Sequence, residues 1–162
     1  MQGLFSKATR RLKVDNKDVI SVLNDLIETS KDGEKGFAEC ADDVKEPRLQ
    51  SFFVQRAQDC ASAAAELQQL VRSLGGDPET SSSVSGALHR GWVDLKSMIT
   101  GKSTEAILNE CERGEDAALK SYRSALEKDL PASVRSVLEQ QLQGVQRNHD
   151  QVKALRDSAR AS

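Results

Sequence analysis

The amino-acid sequence predicts an all-α protein built as a four-helix bundle, and three observations support this. Helix-forming residue types dominate the 162-residue chain, in which charged residues reach 30% and aromatic residues only 4%. Apolar residues recur at steps of three and four in four long segments, as they do on one face of a helix. The 10 glycines and 3 prolines fall mainly between those segments. The length suits one domain with an adequate core.

The first two segments predict an antiparallel helix hairpin. The first helix is expected over about 15–44, because Asp15 and Asn16 can cap its start. Pro47 suits the first turn of a second helix, expected over about 47–74. Gly75 and Gly76 then end it. The short link makes the two helices antiparallel neighbours.

The last two segments predict a second hairpin, with helices over about 103–128 and 131–159 and a tight turn at Pro131. The crossover between the hairpins, about 75–102, is long enough to return along the bundle, and 84–99 can form one short helix within it. One long crossover is the ferritin-like connectivity. The predicted fold is therefore a ferritin-like four-helix bundle, a single domain over 15–160, made of two antiparallel helix hairpins joined by a long crossover that contains a short helix.

Residues 1–14 predict a separate basic N-terminal arm that could contact a membrane surface or a partner subunit. A frayed tail, or a helix lying on the bundle, is the alternative. The formal net charge of -2 argues against a nucleic-acid-binding protein. No apolar run reaches membrane-spanning length and no secretory signal follows Met1, so we expect a cytoplasmic protein.

The three cysteines do not resemble a disulfide framework, because their number is odd and they are far apart in sequence. Cys40, Cys60 and Cys111 all fall at apolar positions of predicted helices. We therefore expect small buried thiols.

Two acidic residues interrupt apolar lines on the predicted first and third helices. The residues of each line are seven apart in sequence. The first line is Ile20, Ile27, Glu34 and Ala41, and the second is Leu108, Glu115 and Tyr122. A carboxylate that faces the core needs a metal, a cation or a proton, because an unpaired buried charge is costly. Paired inward carboxylates are also the basis of carboxylate-bridged metal sites in helical bundles. Arg56 and His149 break the stripes of the other two helices.

The inward polar residues allow two interpretations. In the first, Glu34, Glu115 and His149 are metal ligands, a set of carboxylates and imidazole that suits iron or manganese. In the second, Arg56 replaces the metal within a buried polar network of Glu34, Arg56, Glu115, Tyr122, Gln146 and His149. Ferritin-like diiron bundles take Glu-x-x-His pairs from helices 2 and 4, whereas helix 2 here has no histidine and helix 4 has Gln146 in place of the Glu. We therefore favour the network and expect no resident cofactor. The alternative for Arg56 is that only the aliphatic part of its side chain is buried and its guanidinium extends into solvent.

Several motifs resemble an uncharacterised bacterial family of the ferritin and rubrerythrin clan, a domain of unknown function. The resemblance covers roughly 16–157 and rests on Asp32-Gly33-Glu34, Leu88-His89-Arg90-Gly91-Trp92, and above all Glu112-Arg113-Gly114-Glu115-Asp116 with Tyr122. It implies a ferritin-like bundle in a stress-associated bacterial context, without an established activity. It also implies that Glu34, Glu115 and His149 stand at ligand positions.

Three functions follow from these observations. The favoured one is a non-enzymatic ferritin-like structural or interaction module whose metal site has degenerated. The second is a weakly redox-active bundle that binds iron or manganese. The third is a membrane-surface or partner-docking module that uses the basic arm. We expect a homo-oligomer, most simply a dimer, with no nucleic-acid partner and no membrane contact.

Overall fold

Four helices make up the part of the chain described by a computed structural model, which covers residues 2–80 and 103–161, with side chains from Asn16 onward. They are α1 Gln2–Asp43, α2 Pro47–Ser73, α3 Thr104–Leu126 and α4 Ala132–Ala161. No strand occurs within these two ranges. The prediction of an all-α four-helix bundle is confirmed.

The first hairpin joins α1 to α2 through a short link. Pro47 is the first residue of α2, as predicted, since a missing N–H costs nothing in the first turn of a helix. Gly75 lies just beyond the helix with a positive φ of 82°, which glycine adopts without strain. The N–H of Gly76 then donates to the carbonyl of Val71 at 3.0 Å. These contacts end α2 where the sequence predicted.

The second hairpin joins α3 to α4. The Ser103 side chain caps α3 by accepting a hydrogen bond from the N–H of Ala106 at 3.2 Å. At the other end of α3, Arg135 donates to the carbonyls of Leu126 and Lys128 at 2.9 and 2.7 Å. Arg135 thereby satisfies carbonyls that the end of α3 leaves without helical partners.

The N-terminal boundary differs from the prediction. The first helix begins at Gln2 rather than near Asp15, so the predicted basic arm is continuous with α1. The residues after Gly3 contain no further glycine or proline until Gly33, and Leu, Lys, Arg and Ala are strong helix formers. A capping residue cannot begin a helix where the preceding chain is already helical. The short helix predicted over 84–99, with His89 and Trp92, lies outside the described residues.

The core consists of two apolar clusters at different heights of the bundle. One is built on Leu23, Leu26, Ile27, Leu67, Val71, Val134 and Leu138. The other is built on Phe37, Cys40, Leu49, Phe53, Leu108, Cys111 and Val152. The level between them carries polar side chains, among them Arg56 and Glu115.

The packing of the helices is uneven. α1 packs along α2 and also against α3, and α3 packs along α4, whereas α2 and α4 make few contacts. In the middle of α2 and α4, Cys60, Ala63, Leu142 and Val145 are accordingly only partly buried. Within the described ranges, a gap therefore lies on the side where α2 faces α4. Within the two described ranges, no helix has a stretch apolar and long enough to cross a membrane.

Candidate functional site

A cavity of about 330 Å³ lies at the polar level between the two apolar clusters. All four helices contribute to its wall, and the polar lining includes Ser30, Arg56, Glu115, Tyr122 and Gln141. Its volume is at the lower end of the range of about 300–1,000 Å³ found for ligand cavities, which often lie between the helices of bundles.

A buried ion pair between α2 and α3 lines this cavity. Arg56 Nη2 donates to Glu115 Oε1 at 3.0 Å, and the two residues are only 4% and 2% exposed. Arg56 Nη1 also donates to Asp59 Oδ2 at 3.0 Å, one turn along the same helix. The guanidinium carbon lies 5.0 Å from the centre of the Phe37 ring, within the range of a cation–π contact. Arg56 therefore does not extend its charge into solvent, and its Nε has no hydrogen-bond partner.

The electrostatics of the pair are dominated by burial. Desolvation raises the pKa of Glu115, and the positive charge of Arg56, together with its hydrogen bond, only partly opposes that rise. Desolvation by itself would lower the pKa of Arg56, but Glu115 and Asp59 outweigh it, so that this pKa is raised. Arg56 is thus the main influence that favours the charged form of Glu115.

Tyr122 and Cys60 complete the polar wall as neutral groups. The Tyr122 hydroxyl donates to Gln141 Oε1 at 2.7 Å, and Gln141 Nε2 donates to Glu66 Oε1 at 2.7 Å. Burial raises the pKa of Tyr122 above its usual range and raises the pKa of Cys60 to about 12. Gln141 thereby connects α3, α4 and α2 across the gap.

The two acidic residues of the apolar lines have different surroundings. The Glu34 side chain is 38% exposed and pairs with Lys31 on its own helix at 3.5 Å, whereas Glu115 is buried. The cause is the rotation of α1. Gly33, not Glu34, faces α2 so closely that a Cβ there would lie 2.8 Å from Cys60 Sγ. The next residue along a helix points about 100° away.

Gln146 and His149 lie near the surface between α3 and α4, and neither is hydrogen-bonded to Arg56 or Glu115. Gln146 accepts a hydrogen bond from Arg123 at 2.9 Å and donates to Asp150 at 3.0 Å. His149 Nε2 is 2.8 Å from Asp116 Oδ1, and its Nδ1 is 3.3 Å from Asp150 Oδ1. Of the six residues predicted as one network, only Arg56 and Glu115 are directly bonded to each other in the structure's polar contacts.

A second cluster forms around His149. Its Nε2 lies 3.7 Å from Glu112 Oε1, and ligand atoms of Glu112, Asp116 and His149 all fall within 4.8 Å of one another. Arg156 of α4 already pairs with Glu112. Among the residues that the structure describes, this is the set of three acidic, histidine or cysteine side chains that could hold a metal ion.

Sequence reasoning did not single out Glu112 and Asp116 as ligands. The available signal was their spacing, because residues four apart share one face of a helix. That face lies beside the apolar stripe, so neither residue interrupts the stripe.

Comparison with known proteins places the chain in a family. A family described as "Domain of unknown function (DUF2383)" matches residues 18–128. The chain belongs to this family. The DUF2383 match extends from α1 through α3 and includes both Arg56 and Glu115, while α4 with His149 lies beyond it. No curated protein matches the chain.

Proposed function

We propose that this protein is a non-enzymatic, ferritin-like four-helix bundle in which a buried ion pair has replaced an inner metal site. The observation that carries the proposal is the pair of Arg56 with Glu115, 3.0 Å apart and both almost fully buried. A buried carboxylate requires a compensating cation, and here the guanidinium supplies that charge.

The ion pair also disfavours a metal at the same place. A divalent cation bound to Glu115 would lie beside the positive charge of Arg56, and the two like charges would repel each other. Arg56 is held by Glu115 and Asp59 together, so displacing it would break two charge-assisted hydrogen bonds. Helix α2 carries no histidine that could take part in a metal site at this level.

The cavity beside the pair supports a binding role rather than catalysis. Its wall includes the polar side chains of Ser30 and Gln141, while Phe37 and Val145 supply apolar surface. A small molecule with a few polar atoms and an apolar body would fit this arrangement. Because burial raises the pKa of Tyr122 and of Cys60, neither side chain is activated as a nucleophile.

Metal analysis of protein purified without chelator tests the proposal. We expect iron and manganese well below one equivalent per chain. The Arg56→Met variant, which removes the competing charge and leaves Glu115 in place, serves as the comparison. Near-stoichiometric metal in the unaltered protein that is lost in Glu115→Gln would overturn the proposal.

A second candidate function is metal binding at the surface cluster of Glu112, Asp116 and His149, favoured by the convergence of their ligand atoms. Two carboxylates and one imidazole suit manganese, iron or zinc, and the remaining coordination positions would be filled by water. Because Arg156 neutralises Glu112, this site would bind only after that ion pair is exchanged.

Calorimetric titration with Mn²⁺ measures this second function. If the cluster binds metal, Arg156→Gln should tighten binding roughly tenfold by freeing Glu112, while Asp116→Asn should weaken it by a similar factor. The matched control is Asp59→Asn on α2, which should leave the affinity unchanged. Absence of binding in both the unaltered protein and Arg156→Gln would exclude the second candidate.

A further inference from the structure

Two cysteines from different hairpins meet in the apolar cluster that is built on Phe37, Phe53 and Leu108. Cys40 of α1 and Cys111 of α3 have their Sγ atoms 3.2 Å apart, and each residue is 0% exposed. The third cysteine, Cys60 of α2, lines the cavity instead. We propose that Cys40 and Cys111 are a built-in cross-linking site, which forms a disulfide between the two helix hairpins under oxidising conditions.

The surrounding structure suits this bond. A disulfide needs its sulfurs about 2.05 Å apart, so the two Sγ atoms must approach each other by only about 1.2 Å. α1 and α3 pack directly on each other, and both sulfurs belong to one apolar cluster. In the reduced state the thiols are placed to form an S–H···S hydrogen bond, in which either sulfur can be the donor.

A metal–thiolate site is a poorer interpretation of the same pair. A soft metal such as zinc takes four ligands in a structural site. Among the described residues, no third histidine, cysteine, aspartate or glutamate converges with Cys40 and Cys111 at ligand distances. Two thiols that contact each other, with no further ligand, form a redox pair.

The oxidant in this step is a small-molecule disulfide. A thiolate from one cysteine attacks it, forms a mixed disulfide and releases one small thiol. The second cysteine then attacks the protein sulfur of the mixed disulfide, forms the Cys40–Cys111 bond and releases the second small thiol. Two S–H bonds and one S–S bond break, one protein S–S bond forms, and the oxidant accepts two electrons and two protons.

The cross-link would add a covalent bond between α1 and α3, whose side chains meet in one apolar cluster. Its partners are 71 residues apart in sequence, so the bond would close a long loop in the unfolded chain. On α3, Cys111 lies one turn before Glu115, so the bond would also fasten α1 to α3 beside the cavity. The inference is independent of the proposed function, since it uses neither the ion pair nor a metal.

Refolding in a glutathione redox buffer tests the proposal, because unfolding removes the barrier that burial sets against exchange. The Cys60→Ser variant keeps only the two relevant thiols and should refold with both of them oxidised. The refolded protein should contain no disulfide between chains, and its mass should be about 2 Da lower than that of its reduced form. Its melting temperature should rise by on the order of 10 °C and return to the original value with dithiothreitol.

The matched control is Cys60→Ser combined with Cys111→Ser, which should show neither the loss of mass nor the thermal shift. Peptide mapping of the unaltered protein provides a second measurement if the variants fold poorly, and it should find Cys40 joined to Cys111. The proposal is overturned if both thiols stay free after oxidative refolding, if Cys60 is the preferred partner, or if the oxidised form melts at a lower temperature than the reduced form.

Discussion

Arg56 shows how one residue can change the chemistry of a site. Its guanidinium supplies the positive charge that Glu115 requires, and it does so with directed hydrogen bonds to two carboxylates. The pair is costly to desolvate but far more costly to break, because the remaining partner would be a buried and unpaired charge. Mutations at the pair should therefore show strong coupling.

Arg56→Met should lower the free energy of unfolding by about 3–5 kcal/mol, because Glu115 remains buried without a cation. The double variant Arg56→Met with Glu115→Gln should recover much of this loss, since no charge is then buried. Denaturant unfolding of the four proteins of this cycle gives the coupling energy. A gain in stability in the single Arg56→Met variant would contradict the role assigned to the pair.

The effect of Arg56→Met should depend on pH. The folded-state pKa of Glu115 is raised above the ordinary value of 4.5, so its contribution to stability is fully present below that pH and is lost as pH rises through the folded pKa. Removing Arg56 takes away the main influence that lowers this pKa, so the loss should be larger in the variant. We expect the stability difference between unaltered protein and variant to be smaller near pH 4 than near pH 7.

Denaturant unfolding of chelator-treated protein at a series of pH values measures this dependence. In a Glu115→Gln background the effect of Arg56→Met should lose the part of its pH dependence that comes from Glu115. A difference between unaltered protein and Arg56→Met that is the same at every pH would show that Glu115 is not the group left uncompensated.

In the helices, burial follows the apolar residues spaced by three and four more closely than the residues spaced by seven. On α1, the stripe of residues at steps of three and four is buried throughout, at Val19, Leu23, Leu26, Ser30, Gly33, Phe37, Cys40 and Val44. The line of sevens on α1 lies at the edge of that stripe, and Glu34 is therefore half exposed. On α3 the line Leu108, Glu115 and Tyr122 is buried throughout. Residues that are seven apart share one side of a helix, but their spacing does not show where the neighbouring helix lies.

Alanine substitutions at two glycines test how α2 ends. Gly75→Ala should destabilise the protein by about 1–2 kcal/mol, because its φ of 82° is unfavourable for a residue with a Cβ. Gly144→Ala is the matched control in the interior of α4. Its new Cβ would meet the Arg147 side chain at an ordinary 3.7 Å, so helix propensity should make it neutral or stabilising. Thermal unfolding followed by circular dichroism compares the two, and equal losses would contradict the account of the α2 terminus.

At the scale of the whole molecule, two hairpins share one core. The apolar clusters combine residues of α1 and α2 with residues of α3 and α4, so each hairpin buries part of its apolar surface against the other. The polar level separates the clusters, and the weak contact between α2 and α4 leaves the cavity beside it. The cavity is thus a consequence of how the hairpins meet, and it has no counterpart within either of them.

The second hairpin should not fold by itself. A peptide of residues 103–161 would expose Leu108, Cys111, Tyr122 and Leu138, which the complete chain buries. We expect low helicity by circular dichroism and poorly dispersed amide signals by nuclear magnetic resonance, in contrast to the complete chain. A cooperative thermal transition of this peptide alone would contradict the shared core.

The sequence by itself determined the four helices, their pairing into hairpins and most of their inward faces. These features depend on capping, glycine and proline positions and apolar periodicity, which are properties of each segment alone. Arg56 and Glu115 could likewise be recognised as inward polar residues from the stripes that they interrupt.

Only the tertiary structure decided which polar groups meet. Glu115 pairs with Arg56 while Glu34 pairs with Lys31, His149 joins Glu112 and Asp116, and Cys40 contacts Cys111. The reason is geometric, since the partner of a side chain depends on how each helix is rotated about its axis and shifted along its neighbour. Small rotations exchange a buried position for an exposed one, and no segment encodes them without the helices packed against it.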